Sequence, residues 1–120
     1  MSNKRSLKKS IQIICGNLAG ECCIAKLAIP GIETEKMNGI IYQIAELQQN
    51  ALHRVSVQFP QSPSAFETVK EYHIARRKFY NEAFKSIRNE FNNHVQAIVK
   101  EMNALLPAEQ KEANRKAINA

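Results

Sequence analysis

From Ser64 to Leu106 the chain contains neither Gly nor Pro, and its apolar residues hold one helical phase throughout. At 100° per residue, Phe66, Val69, His73, Tyr80, Phe84, Ile87, Phe91, Val95, Ile98, Met102 and Leu105 fall on a single stripe. A helix of this span would reach about 65 Å, against about 36 Å for either helix that precedes it. Two solutions follow. The helix bends near Asn89–Asn93 and closes a four-helix bundle, or it stays continuous and buries its far half against a second copy. The stripe keeps its phase through Asn92–Asn93, which favours the continuous helix and a homodimer. Ser64-x-x-Glu67 reads as the capping box that opens it.

Three breaks punctuate the chain: Pro30-Gly31, Phe59-Pro60-Gln61-Ser62-Pro63 and Pro107. Before the first, a helix is predicted from an N-cap at Ser6 to Ile29. Leu7, Ile11, Ile14, Cys15, Leu18, Cys22, Ala25 and Ile29 form one face, and Ile13, Gly16, Gly20, Cys23, Ile24 and Leu27 a second. A helix apolar nearly all round is expected to be buried on two sides, so this one is expected to be central, with Gly16-x-x-x-Gly20 marking close packing inside the fold. A second helix, Thr34 to Val57, is amphipathic. Met37, Ile40, Ile41, Ile44, Leu47, Ala51 and Val55 lie opposite Gln43, Glu46, Gln49, Asn50 and His53, and the alternating Val55–Phe59 reads as its frayed end.

The predicted fold class is therefore all-α: an antiparallel bundle of three long helices, the third overlong or bent, over residues 1–106. Residues 107–120 are expected to be a polar tail, a short helix or disordered. A length of 120 residues suits one domain. No stretch approaches the ~20 consecutive apolar residues of a bilayer span, so no membrane span is expected.

The chain has no Asp, which removes every mechanism built on an Asp nucleophile, base or ligand. No His is preceded three residues earlier by Glu, and neither Cys-x-x-Cys nor His-Glu-x-x-His occurs, so metal-ligand spacings fail. Glu90 and His94, one turn apart, read as a surface ion pair. Cys15 and Cys22 lie on the core face of helix 1, where a thiol is inert, and packing is preferred to a redox bridge for the vicinal Cys22–Cys23 pair. His73, within the stripe, reads as a hydrogen-bonded core residue. Gly-rich phosphate loops are missing. No enzyme activity and no cofactor are expected.

The formal charge is +6, with Lys4, Arg5, Lys8 and Lys9 at the N-terminus and the rest of the excess after Ser64. Arg76, Arg77 and Lys78, with Lys70, Lys85 and Arg88 nearby and Tyr72, Phe79 and Tyr80 interleaved, form the pattern that grips a single strand by charge and stacking. The simpler reading is long basic side chains flanking a core stripe with their heads in water. Arg77, near the stripe's centre line, fits that simpler reading least. A helix-turn-helix around Pro30-Gly31 fails, because Glu33 and Glu35 would meet phosphate.

Met1 to Lys9 has the charge of a signal-peptide n-region, and Leu18 to Cys22 has the outline of a lipoprotein cleavage box. Glu21 beside the cysteine and Gln12, Gly16 and Asn17 within the apolar stretch speak against secretion. The pattern Lys4-Arg5-Ser6-Leu7-Lys8-Lys9, Ile14-Cys15 and Glu21-Cys22 resembles the opening of small uncharacterised helical proteins of Bacteroidetes bacteria. That resemblance covers the first quarter of the chain, implies a bacterial, cytoplasmic helical protein, and transfers no activity or site. The expected function is a structural or protein-interaction module without catalysis, a homodimer or the partner of another protein. The alternative is nucleic-acid association through the basic N-terminus and the Arg76–Arg88 surface.

Overall fold

A computed structural model of the protein describes residues 4–106. Three helices pack against one another and no strand occurs among the described residues: α1 (Lys4–Ala28), α2 (Thr34–Val55) and α3 (Val69–Leu105). The all-α bundle is thus the fold, while the predicted tail 107–120 lies outside the described residues.

Three local expectations shift. Ser6 is inside α1 rather than at its N-cap. α2 stops at Val55 rather than Val57, because the Ser56 and Val57 amides turn back to the carbonyls of His53 and Arg54 at 3.1 and 3.2 Å. Such i→i−3 bonds tighten and end a helix whose last carbonyls have no further partner. The third correction moves a cap. Ser64 belongs to a short 3₁₀ turn, Pro63–Ala65, and α3 begins after Thr68, whose hydroxyl accepts the Glu71 amide at 3.1 Å. The residues between 65 and 69 are extended at Phe66 and Thr68, so the capping Ser/Thr-x-x-Glu is the second of two in the sequence.

α1 and α2 form an antiparallel hairpin across Ile29–Glu33. Gly31 turns the chain at φ +79°, a conformation that costs a side-chain-bearing residue about 1–2 kcal/mol. Lys26 Nζ donates to Asn38 Oδ1 at 2.5 Å, which sets the register of the two helices. α2 then lies antiparallel to α3, with Gln43 Nε2 donating to Glu101 at 3.0 Å and the Arg54 guanidinium paired with Glu90. Glu90 therefore takes Arg54, not His94, as its partner.

The core collects one face of each helix: Leu7, Ile11, Cys15, Leu18 and Cys22; Met37, Ile40, Ile44, Ala51 and Val55; Phe84, Ile87, Phe91, Ile98 and Met102. α2 packs along both neighbours, whereas α1 and α3 meet over a shorter stretch. The central helix is thus α2, and the expectation of a doubly buried α1 is overturned. Its second face is left to solvent because α3 covers only one flank of the α1–α2 hairpin.

α3 remains helical through Asn89–Asn93. Its 37 residues span about 55 Å, close to the 65 Å long axis of the molecule. The Arg54–Glu90 pairing fixes where the length goes. The part of α3 from Tyr80 onward packs in or against the bundle, and residues 69–79 run past the ends of α1 and α2 as an overhang of about 16 Å.

Candidate interaction surfaces

The first surface is the uncovered face of α1. Ile13 is 52% exposed, Ile24 65% and Leu27 90%, and Cys23 is open to solvent. Gly16 and Gly20 run down its middle, and a Cβ built at either would touch nothing within 4 Å. Their expected role as an internal close contact is therefore not the observed one. Arg5 and Lys9 continue the same face toward the N-terminus, all eight residues lying within a sector of about 100°. On α2, Tyr42 is 78% exposed and stands one turn from Asn38, the partner of Lys26, so it adds a ring along the Cys23 edge.

α1 is also the one described helix whose length and hydropathy would let it cross a bilayer, with a mean hydropathy of 1.3 over its most apolar window. Five of its residues are buried in the bundle core.

The second surface is the basic end. The hairpin register puts Lys4, Arg5, Lys8 and Lys9 level with Val55 on α2, and the Arg54–Glu90 pair puts Val55 level with the Arg88 region of α3. The two clusters, far apart in sequence, thus share one end of the molecule. Lys85 and Arg88 sit beside the start of α1, and Lys70, Arg76, Arg77 and Lys78 ride on the overhang. Lys70, Arg77, Lys78, Lys85 and Arg88 occupy one sector of α3 about 100° wide. Arg76 turns to the other flank, its guanidinium carbon 4.9 Å from the centre of the Tyr80 ring. Arg77 is exposed, and its position on the overhang removes the burial that made it awkward in the sequence.

The aromatic residues of this end have partners of their own. Phe59 lies against Phe66, Tyr72 and Phe79 at ring-centroid distances of 6.2, 5.9 and 5.4 Å, and Tyr80 contacts Phe84 at 5.7 Å. This cluster lets the loop 56–68 fold back along the overhang. It is a small second core, and it explains why Tyr72 and Phe79 are half-buried whereas His73 and Val69 are exposed. The expectation of a core His73 fails, because the stripe meets the bundle only from Tyr80 onward.

Between α2 and α3 lies an open groove of about 390 Å³ lined by His53, Arg54, Glu90 and His94 over Ala51, Ile87 and Phe91. Among the described residues no three His, Cys, Asp or Glu side chains group as metal ligands. Burial raises the Cys15 thiol above its ordinary value. Cys22 is raised as well, first by burial and then by Cys23 and Glu21 beside it. Both are held as neutral thiols, the unreactive form.

Sequence reasoning located the basic residues but missed two features. The exposure of α1's second face was hidden because an apolar residue reads alike whether it meets core or a partner. The aromatic satellite cluster had a signal, Phe59 and Phe66 bracketing the Pro-rich loop, that periodicity does not register. Comparison with protein-family models, with curated proteins and with solved structures finds no match to this chain.

Proposed function

We propose that the chain is a non-catalytic helical interaction module that works as a homodimer, in the bacterial cytoplasm that its N-terminal pattern suggests. The observation that carries this reading is the uncovered apolar face of α1, with Ile13, Ile24 and Leu27 all more than half exposed. Large exposed apolar side chains gathered on one helix face mark an interaction site more often than do scattered ones. Burial holds the Cys15 and Cys22 thiols neutral, which fits a role in packing. Sedimentation velocity over a wide concentration range tests the reading. A dimer is expected, and a monomer at every concentration would overturn it.

A second reading, association with nucleic acid, is favoured by one observation, the convergence of Lys4–Lys9 with the Lys70–Arg88 residues at one end. Phosphate contacts release counterions, so binding driven by them falls steeply with salt. Fluorescence anisotropy with labelled single-strand and duplex DNA and RNA should lose affinity by about tenfold or more between about 50 and about 200 mM salt. Binding indifferent to salt, or none, removes this reading.

A further inference from the structure

We infer that α1 pairs with α1 of a second copy, antiparallel, across a two-fold axis between Gly16 and Gly20. This inference rests on the homodimer reading above and adds its geometry. A two-fold interface is self-complementary: whatever residue i meets, its equivalent meets in return. The exposed face of α1 has that property about its own middle at every level but that of Ile24, which falls opposite Gln12. With the axis at the level of Leu18, Ile13 lies opposite Cys23, Gly16 opposite Gly20, and Lys9 opposite Leu27.

The chemistry at these paired levels agrees. Two glycines facing two glycines let the helix backbones approach closely, and the empty space above both in the monomer is the space a second helix would fill. Ile13 meets a small polarizable thiol rather than another bulky chain. The stem of Lys9 lies along Leu27 with its ammonium free to reach water. Arg5 falls opposite the Gly31 turn, with exposed Glu33 and Glu35 just beyond.

Charge selects the direction. In a parallel pair, Lys4, Arg5, Lys8 and Lys9 of both copies would crowd together, and the two basic overhangs would lie side by side. Antiparallel pairing sets each basic end against the hairpin end of the other copy, which carries Glu35 and the Glu33–Lys36 ion pair and no basic cluster, and sends the two overhangs to opposite ends. A lipid surface is the rival occupant for an apolar helix face with basic residues at one end. The centre of this face argues for a helix, since Gly16, Asn17 and Gly20 offer lipid almost no apolar area.

The experiment uses the full chain and two kinds of variant. Gly16→Leu and Gly20→Leu, alone and together, are tolerated by the monomer because their side chains point into open space. They should retain the helical circular dichroism and thermal transition while losing dimer mass by light scattering, at concentrations where the parent protein is dimeric. Ile13→Cys gives the second test. Under a mild oxidant it should form a covalent dimer whose bridges, by peptide mass spectrometry, join Cys23 to the introduced thiol of the other copy, while the parent protein does not cross-link. Dimer mass retained in the doubly substituted Leu variant places the contact on another face and overturns the inference. A Cys23–Cys23 bridge in the parent protein means a parallel pair and also overturns it. A parent that is monomeric throughout, yet floats with anionic vesicles, removes the homodimer reading itself and with it this geometry.

Discussion

The backbone amide of Phe59 donates to the hydroxyl of Tyr80 at 3.1 Å, across 21 residues of chain. This bond holds the loop between α2 and α3 against the overhang, and it is the polar anchor of an otherwise aromatic cluster. Tyr80→Phe keeps the ring against Phe79 and Phe84 and leaves the amide without its partner. The expected cost is about 1 kcal/mol, read as a fall of about 4 °C in Tm. Loss of protection at the Phe59 amide in hydrogen exchange, with the α1 and α2 amides unchanged, would identify the loop as the affected part.

The two Ser/Thr-x-x-Glu sequences should differ in energetic weight. Thr68 caps α3 through its hydroxyl, so Thr68→Ala should destabilise by about 1 kcal/mol. Ser64 bonds only to the neighbouring Ser62 hydroxyl at 2.7 Å on the surface, and Ser64→Ala should fall within about 0.5 kcal/mol of the parent. Urea unfolding of the two variants checks the order. Equal effects would mean that the helix begins at Ser64 in solution.

Thiol reactivity should follow the fold. Cys23 is exposed, whereas Cys15 and Cys22 are buried, so a small alkylating reagent should modify one cysteine in the native state and three after denaturation. The pH dependence has a definite sign. Burial holds Cys15 and Cys22 above the ordinary thiol value of 9.0, so the folded state keeps protons that the unfolded chain gives up. Their stabilising contribution is complete below pH 9 and declines as pH rises from there toward the folded-state values. Urea midpoints at pH 8 and pH 10 should show the decline. Cys22→Ala, whatever its own cost, should shrink the difference between the two.

Core and overhang should respond differently to truncation. Ile11 is 0% exposed at the heart of α1, and Ile11→Ala should cost about 2–5 kcal/mol, a large share of the roughly 5–15 kcal/mol typical of a domain. Ile74 on the overhang is more than half exposed, and Ile74→Ala should lie within about 0.5 kcal/mol of the parent. Calorimetric melts of the two variants measure the contrast.

The all-α class and the three helices could be read from the sequence because helical period and Pro/Gly breaks are local signals. The uninterrupted α3 was legible for the same reason, from the phase kept through Asn92–Asn93. The identity of the central helix was not. α1 is more apolar than α2, yet α2 is the one flanked on both sides, because chain order places it between two neighbours that are each adjacent to it in sequence. The candidate surfaces divide in the same way. Lys4, Arg5, Lys8 and Lys9 were visible as a cluster, and so were Arg76, Arg77 and Lys78. Their meeting at one end depends on where Arg54 finds Glu90, a long-range register that no window of sequence contains. His73 misled because it keeps the phase of the stripe at a level of α3 that no other helix reaches.

The packing order, α1 on α2 and α2 on α3, carries a kinetic consequence. Each main interface joins helices that are neighbours in the chain, so little loop closure is needed before burial is rewarded, and chains of this kind fold in microseconds to milliseconds. Synthesis proceeds from the N-terminus at about 5–20 residues per second, far slower than that. The α1–α2 hairpin is therefore complete before α3 has been made. On the ribosome the face of α2 that awaits Phe84, Ile87 and Phe91 stands open for seconds, and in that interval the nascent chain is at its most vulnerable to misassociation.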